Sequence, residues 1–291
     1  MPRLLDVLAA RYPGASKHTL RQWLVDERVT VHGRTVLRGD AEVPDDARVL
    51  LVGKAQPTTA LDAVRVVFED PHLLVIDKPP GLLSVATRKD GRTSASAAVR
   101  KYLARAHAEP FLVHRLDEVA SGLLMFAKTE AVQQALHGIF ARHDLERLYL
   151  AVVQGQPRIG AGVITTRLIE SDRRPFKVRS LRAADPAALG AHAERACTRW
   201  RVLARAVDRA ALLVRLETGK KHQIRVHLSE LGCPIVGDRL YGGPPFRRLL
   251  LHAARLRFRH PVTGASVVAV SRPEPAFRRA VAGLPDPLPD F

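Results

Sequence analysis

Residues 111 to 128 read Phe111-Leu112-Val113-His114-Arg115-Leu116-Asp117-Glu118-Val119-Ala120-Ser121-Gly122-Leu123-Leu124-Met125-Phe126-Ala127-Lys128. A polar cluster separates two apolar runs, which predicts two strands joined by a charged segment. If the first strand ends in this cluster, Arg115 and Asp117 share one face, because strand side chains alternate with a period of two. An arginine beside an aspartate favours the ionised carboxylate, which can act as a nucleophile or a base. These residues alone favour a structural ion pair over a catalytic one.

Alternating strand and helix patterns surround this segment. Strand-like runs occupy residues 64–68 and 73–76, and helical periodicity covers 94–106 and 130–141. The pattern predicts a main domain of mixed helices and strands over residues 64–272. We expect the proline-rich residues 273–291 to be a surface extension.

A smaller domain is predicted over residues 1–52. Apolar residues recur at helical spacing near the start of the chain, and Ser16 is placed to cap a second helix. Short alternating runs at 29–31 and 49–51 predict a small sheet. Residues 53–63 are polar and contain proline, so we expect a linker there.

The charge of the chain points to a polyanionic partner. Lysine and arginine total 46 against 29 acidic residues, a formal net charge of +17. An excess of this size attracts RNA or DNA, with an acidic membrane surface as the main competitor. A biased genome composition would give the same excess without any nucleic-acid partner.

The remaining composition narrows the class of protein. No apolar run reaches the ~20 residues that span a bilayer, and the first residues lack the apolar centre of a signal peptide, so we expect a cytoplasmic protein without membrane contact. Cys197 and Cys233 are solitary, and His222 and His227 are spaced poorly for a shared metal. We therefore expect no metal and no cofactor.

The motif His114-Arg115-Leu116-Asp117-x-x-Ala120-Ser121-Gly122 resembles the signature of the RluA-type family of pseudouridine synthases. Four further segments resemble family motifs in the family's order. They are Asp77-Lys78-Pro79-Pro80-Gly81-Leu82, residues 149–155 beginning with Tyr149, residues 217–242 containing His222-Gln223-Ile224-Arg225, and Leu251-His252-Ala253 with His260-Pro261.

The resemblance implies a fold and an activity. The fold is α+β: a mixed, mainly antiparallel sheet with flanking helices, preceded by the small N-terminal domain. The activity is isomerisation of uridine to pseudouridine in structured RNA, with the target base flipped out of its stack. The resemblance makes Asp117 the catalytic carboxylate, Arg225 the partner that keeps it ionised, and Tyr149 the ring that stacks on the base.

The resemblance also implies contacts with the RNA. Arg115 and His114 adjoin the catalytic aspartate, and we expect them to bind substrate. The other substrate-binding residues implied are Lys220, Lys221, His222 and Leu251. The sequence departs from common family residues at Ala120, Arg147 and Lys220-Lys221, which puts the substrate preference in doubt rather than the activity.

The N-terminal segment resembles the S-four-like RNA-binding domain of a ribosomal small-subunit protein. The match rests on residues 5–9, 17–24 and 29–33. In that family a helix pair and its loop present basic groups to phosphates, which implies Lys17, Arg21 and Arg28 here. A packing module without RNA contacts is the alternative.

Several questions stay open at the level of sequence. Asp117 could attack the ribose, attack the base, or remove a proton at the ribose 2′ carbon. A non-catalytic RNA-binding protein, or a hydrolase using Asp117 and His114, are the rival functions. We expect a monomer acting on ribosomal RNA, with transfer RNA as the alternative substrate.

Overall fold

The computed structural model describes residues 2–13, 15–25, 29–31, 34–36, 38–44, 47, 49–51, 64–86, 93–104, 107–171, 177–181 and 193–291. The chain forms two compact units, Met1–Thr58 and Thr59–Phe291. The expected linker, residues 53–63, lies outside the described residues. Within the ranges given above, every helix is too short or too polar to span a lipid bilayer.

The first unit contains two helices and a three-stranded antiparallel sheet. Its elements are α1 (Leu4–Arg11), α2 (Lys17–Val25), β1 (Val29–Val31), β2 (Arg34–Thr35) and β3 (Val49–Leu51), with β1 at the centre of the sheet. Ser16 caps α2 as predicted, because its Oγ accepts the backbone N–H of Thr19 at 3.1 Å. Leu4, Leu8, Leu20 and Leu24 turn inward from both helices and form the core.

The second unit is built on one large sheet. Its strands are β4 (Arg65–Glu69), β5 (Leu73–Lys78), β6 (Phe111–Leu112), β7 (Ser121–Ala127), β8 (Leu145–Gln154), β9 (Ala161–Glu170), β10 (Val178–Leu181), β11 (Glu194–Arg205), β12 (Arg209–Leu216), β13 (Leu251–Arg259) and β14 (Ser266–Val270). Its helices are α3 (Ala95–Leu103), α4 (Glu130–Ala141), α5 (Gln223–Glu230) and α6 (Pro275–Arg279).

The sheet is mainly antiparallel, as expected. Its strand order is β10-β9-β11-β12-β8-β13-β7-β5-β4, with β14 beside β13 and β6 beside β7. Within the described part of this sheet, β7 and β13 make the parallel pairing and the other pairs are antiparallel. Every residue of β7 is buried, which fits a central strand covered on both faces.

Gly122 allows β7 and β13 to lie close together. Its φ is +108°, and a Cβ built there would stand 2.2 Å from the carbonyl oxygen of Ala253. An alanine would fit neither the backbone angle nor the space. The glycine, the last residue of the aspartate motif, therefore sets the contact between β7 and β13.

Two sequence expectations need correction. The strand β6 ends at Leu112, so His114-Arg115-Leu116-Asp117 is a loop rather than a strand end. The Oγ of Ser84 accepts the N–H of Leu116 at 3.1 Å and donates to its carbonyl oxygen at 2.8 Å, so this backbone is satisfied without a sheet partner.

The second correction concerns residues 273–291. We expected a surface extension, but the side chains of Phe277 and Val281 are buried in the main core. The rings of Phe277 and His252 also make an edge contact, with centroids 6.2 Å apart. The apolar residues of this segment thus belong to the second unit's core, which its proline content concealed.

Candidate active site

A cavity of about 600 Å³ opens beside the loop that carries Asp117. This volume suits a ligand of nucleotide size. All nine residues predicted for catalysis and substrate binding line it: His114, Arg115, Asp117, Tyr149, Lys220, Lys221, His222, Arg225 and Leu251. The structure thus brings together side chains that lie up to 137 positions apart (251 − 114) in the sequence.

Arg225 joins two carboxylates at the wall of this cavity. Its Nη1 lies 3.2 Å from Oδ2 of Asp117, while its Nε and Nη2 donate to the two oxygens of Asp238 at 2.7 and 2.8 Å. Burial acts to lower the pKa of Arg225, but Asp238 and Asp117 outweigh burial and leave that pKa raised. The guanidinium is therefore a permanent positive charge beside Asp117.

The start of helix α5 fixes Arg225 in place. The side chain of Gln223 accepts the N–H of Lys220 at 3.0 Å and donates to the carbonyl oxygen of Cys197 at 3.0 Å. His222 precedes the helix in the left-handed conformation, with φ of 53°. These contacts order the turn, so that Arg225 occupies the first helical turn as the sequence predicts.

Lys78 fixes the loop that carries Asp117. Its side chain is fully buried, and burial lowers its pKa to about 8 although Asp117 and Glu118 act in the opposite direction. Its ammonium nitrogen lies within hydrogen-bond distance, 2.6–3.2 Å, of four carbonyl oxygens, those of Pro79, Leu82, Glu118 and Ala120, which share its three N–H donors. One side chain therefore ties the turn after β5 to the backbone on the far side of Asp117.

Tyr149 lies on β8 and faces the cavity. Its side chain is almost buried, with 7% of its surface exposed. Burial raises the pKa of the phenol, so it stays neutral at pH 7. A neutral ring at the cavity wall offers a stacking surface for a planar base.

His114 is held in a structural role. Its Nε2 accepts the backbone N–H of Met125 at 3.2 Å, and its ring stacks on Phe140 with centroids 5.2 Å apart. Burial, followed by the charge of Arg147, lowers the pKa of His114 to about 3. A neutral imidazole already hydrogen-bonded in this way is a poor general base, which disfavours the hydrolase alternative.

The rim of the cavity is basic but partly neutralised. Lys220 contacts Glu194 at 2.5 Å and Lys221 contacts Glu170 at 2.6 Å. Arg115 is exposed at the same rim. An RNA phosphate that binds Lys220 and Lys221 would compete with these glutamates for the two ammonium groups.

The remaining predicted residues fall elsewhere. Lys17 and Arg21 are exposed on α2 of the first unit, and Arg28 lies outside the described residues. Among the described residues, no group of three histidine, cysteine or acidic side chains is placed to hold a metal ion. Cys197 and Cys233 are free thiols and buried.

Sequence reasoning assigned no role to three residues that shape the site: Lys78, Arg147 and Asp238. Lys78 and Asp238 stood inside quoted motifs, and Arg147 stood out only as a departure from the family's usual lysine. The available signal was a charged residue next to a run of apolar residues. Such a charge is expected to become buried with the run, and a buried charge needs a partner. Their partners became evident only from the fold.

Comparisons with known proteins show which family the chain belongs to. A family model described as RNA pseudouridylate synthase matches residues 72–230. "Ribosomal large subunit pseudouridine synthase D" of Yersinia pestis is 34% identical over 297 aligned residues, which cover 90% of this chain and 84% of the relative. The protein of the same name in Xanthomonas campestris is 34% identical and covers 92% of this chain and 84% of the relative.

Solved structures share the fold. Human RNA Pseudouridylate Synthase Domain Containing 4 superposes with a TM-score of 0.60 at 24% identity, covering 73% of this chain and 90% of that one. Human RNA Pseudouridylate Synthase Domain Containing 1 gives 0.61 at 22% identity, covering 76% and 89%. At these identities the likeness concerns the fold alone.

Proposed function

The chain belongs to the RNA pseudouridylate synthase family, and from that premise we propose that it converts uridines of ribosomal RNA to pseudouridine with Asp117 as the catalytic carboxylate. Its activity is that of an RNA pseudouridine synthase, an isomerase. Two relatives at 34% identity carry the name of the ribosomal large subunit, which favours ribosomal RNA over transfer RNA as the substrate.

The contact between Arg225 and Asp117 carries the proposal. Nη1 of Arg225 lies 3.2 Å from Oδ2 of Asp117, so the guanidinium orients this carboxylate, and 22% of the Asp117 side chain remains exposed toward the cavity. Asp238 is completely buried behind the same guanidinium. These positions support Asp238 as the carboxylate that anchors Arg225 and Asp117 as the reactive carboxylate.

The reaction breaks the N1–C1′ bond, turns the uracil and joins C5 to C1′. Asp117 attacks the ribose or the base, or removes a proton at the ribose 2′ carbon; all three routes need the same ionised carboxylate. Tyr149 supports the flipped base by stacking. Arg115, exposed at the rim, fills the space that the flipped nucleotide leaves or contacts the RNA backbone.

The first unit supplies a docking surface in this proposal. Lys17 and Arg21 are four positions apart on α2, so both project from the same side of the helix. Their exposure leaves them accessible to phosphates. We propose that this unit adds affinity for structured RNA while the second unit, acting as a monomer, does the chemistry.

Mapping of modified positions tests the substrate. The purified protein is incubated with transcripts of large-subunit ribosomal RNA and with a transfer RNA pool, and pseudouridines are located by chemical labelling and primer extension. We expect modification at defined ribosomal positions. Modification confined to transfer RNA would refute the ribosomal assignment, and release of free uracil would refute the isomerase.

A further inference from the structure

Arg147 is a buried cation that pairs with no carboxylate in the part of the chain that the structure describes. It projects from β8 into the cavity wall with only 6% of its surface exposed. Its Nη2 donates to the carbonyl oxygen of Glu217 at 3.2 Å, and its Nε finds no hydrogen-bond partner within the described ranges. Among the described residues, no acidic side chain forms an ion pair with it.

Its environment makes this charge unfavourable. Burial lowers the pKa of Arg147, and the cation–π contact with the Phe140 ring, at 5.2 Å from the guanidinium carbon, offsets only part of that cost because it supplies no counter-charge. A guanidinium nevertheless stays protonated at neutral pH. A buried charge that lacks a counter-charge lowers the stability of the folded protein. The simplest explanation for a buried arginine at this position is that a bound ligand supplies the negative charge.

The other buried cations of the site already have partners. Arg225 binds Asp117 and Asp238, and Lys78 is surrounded by four carbonyl oxygens. At the rim, Lys220 and Lys221 each contact a glutamate. Arg147 differs from all of these because its charge is still available to a ligand.

The geometry indicates which part of a ligand it meets. Arg147 and Tyr149 are two residues apart on one strand, so they share a face with about 7 Å between their backbones. A Cβ at Gly219 would stand 2.7 Å from Nη1 of Arg147, so the glycine provides room for the guanidinium. A base stacked on Tyr149 therefore presents an edge to Arg147.

We propose that Arg147 donates a hydrogen bond to a carbonyl oxygen of the flipped uracil and stabilises the negative charge that the base acquires during the reaction; this inference rests on the proposed function. When the N1–C1′ bond breaks, its electron pair remains on the base, spread over N1 and the carbonyl oxygens. When C5 bonds to C1′, the base supplies the bonding pair, C5 loses its proton and N1 gains one. The product is a neutral isomer, and Arg147 is unchanged.

The first test removes the charge and keeps the volume. Arg147→Met is expected to lower the single-turnover rate about 100-fold, as loss of a donor to a developing anion does elsewhere, while the RNA dissociation constant changes by less than about threefold. The melting temperature should be equal or higher, because an unpaired buried charge is removed. Arg147→Lys should recover most of the rate.

Two controls separate this role from structure. Arg199→Met removes an arginine that is exposed and paired with Glu217, and it should leave the rate unchanged. Gly219→Ala pushes the guanidinium aside without removing it, so it should lower the rate while leaving the melting temperature within a few degrees.

A better leaving group gives the decisive measurement. Fluorine at C5 withdraws electrons and stabilises the uracil anion, so RNA with 5-fluorouridine at the target should depend less on Arg147. The rate is measured as loss of the 5-fluorouridine nucleoside after digestion of the RNA. We expect the defect of Arg147→Met to shrink about tenfold relative to uridine RNA.

The possible results distinguish failure of the proposed role of Arg147 from failure of the proposed function on which it rests. Full activity of Arg147→Met beside an active wild type overturns the role of Arg147 alone. An equal defect on both RNAs, or a variant that has lost stability, also overturns it and makes the arginine structural. A wild type that forms no pseudouridine overturns the proposed function together with this inference.

Discussion

Nη1 of Arg225 lies 3.2 Å from Oδ2 of Asp117, yet the same guanidinium is held more tightly by Asp238, at 2.7 and 2.8 Å. The bidentate pair fixes the plane of the guanidinium, since a fork of two parallel bonds leaves little freedom. Asp117 makes the longer, single contact and is the more exposed carboxylate. It can therefore move toward a substrate while Arg225 stays in place.

Asp238→Asn tests this division between anchor and reactive carboxylate. The substitution removes the buried negative charge that holds the Arg225 guanidinium, so Arg225 is less firmly positioned beside Asp117. We therefore expect kcat to fall roughly 10- to 100-fold with little change in KM. Steady-state kinetics with a defined RNA measure both constants. Asp144→Asn, an exposed carboxylate paired with Arg142, serves as control. A kcat equal to that of the control would contradict the anchoring role.

Gly122→Ala tests the close approach of β7 and β13. The added methyl group would overlap the carbonyl oxygen of Ala253, and the φ of +108° is unfavourable for alanine. We expect a loss of about 3 kcal/mol in the free energy of unfolding, measured by denaturant titration. Gly160→Ala has open space around it and should cost less than about 1 kcal/mol. Equal stability of the two variants would show that the strands tolerate a wider spacing.

Acid should destabilise the second unit through its buried histidines. Burial lowers the pKa of His114 to about 3 and the pKa values of His227 and His252 to about 4, against a usual value near 6.5. Between these values the unfolded chain binds more protons than the folded one, so stability is retained above pH 6.5 and lost as the pH falls.

The free energy of unfolding is measured at pH 7 and pH 5. Each histidine contributes a slope of at most about 1.4 kcal/mol per pH unit, so we expect a decrease of about 2 kcal/mol or more. His227→Gln should reduce this pH dependence. The same free energy at both pH values would mean that the histidines are accessible to solvent protons in the folded state.

The double variant Lys17→Gln/Arg21→Gln tests RNA docking by the first unit. Loss of two phosphate contacts should reduce the slope of log affinity against log salt by about 1.4 to 1.8. The rate at saturating RNA should not change, because neither residue lines the cavity. Arg100→Gln/Arg142→Gln removes the same charge from exposed residues of the second unit. If both double variants give the same slope, the first unit has no special role in binding.

The sequence predicted the site better than it predicted the shape of the segment that carries it. Motif order predicted that Asp117, Tyr149 and Arg225 share one site, and all three line one cavity; helical spacing placed Arg225 on the first turn of α5. The strand expected to end at Asp117 is a loop, because Ser84 and Lys78, distant in sequence, satisfy its backbone. Long-range hydrogen bonds of this kind leave no periodic signal.

The contributions of Arg147, Asp238 and Phe277 also depend on distant partners. Arg147 packs against the Phe140 ring and the carbonyl oxygen of Glu217 and, among the described residues, meets no counter-charge; the sequence alone does not reveal these neighbours. Phe277 follows two closely spaced prolines, Pro273 and Pro275, yet its ring is buried in the core. The local sequence pattern shows which residues are polar or apolar, but it does not show which residues distant in sequence come into contact in the folded chain.

Tritium release from RNA labelled at uracil C5 tests the central claim most directly. Formation of the C5–C1′ bond displaces the C5 hydrogen, so each turnover by the wild type releases one tritium into water. Asp117→Asn keeps the shape of the side chain but removes the ionisable carboxylate, and we expect no release above background while RNA binding persists. Release at the wild-type rate by Asp117→Asn would contradict the assignment of Asp117 as the catalytic residue.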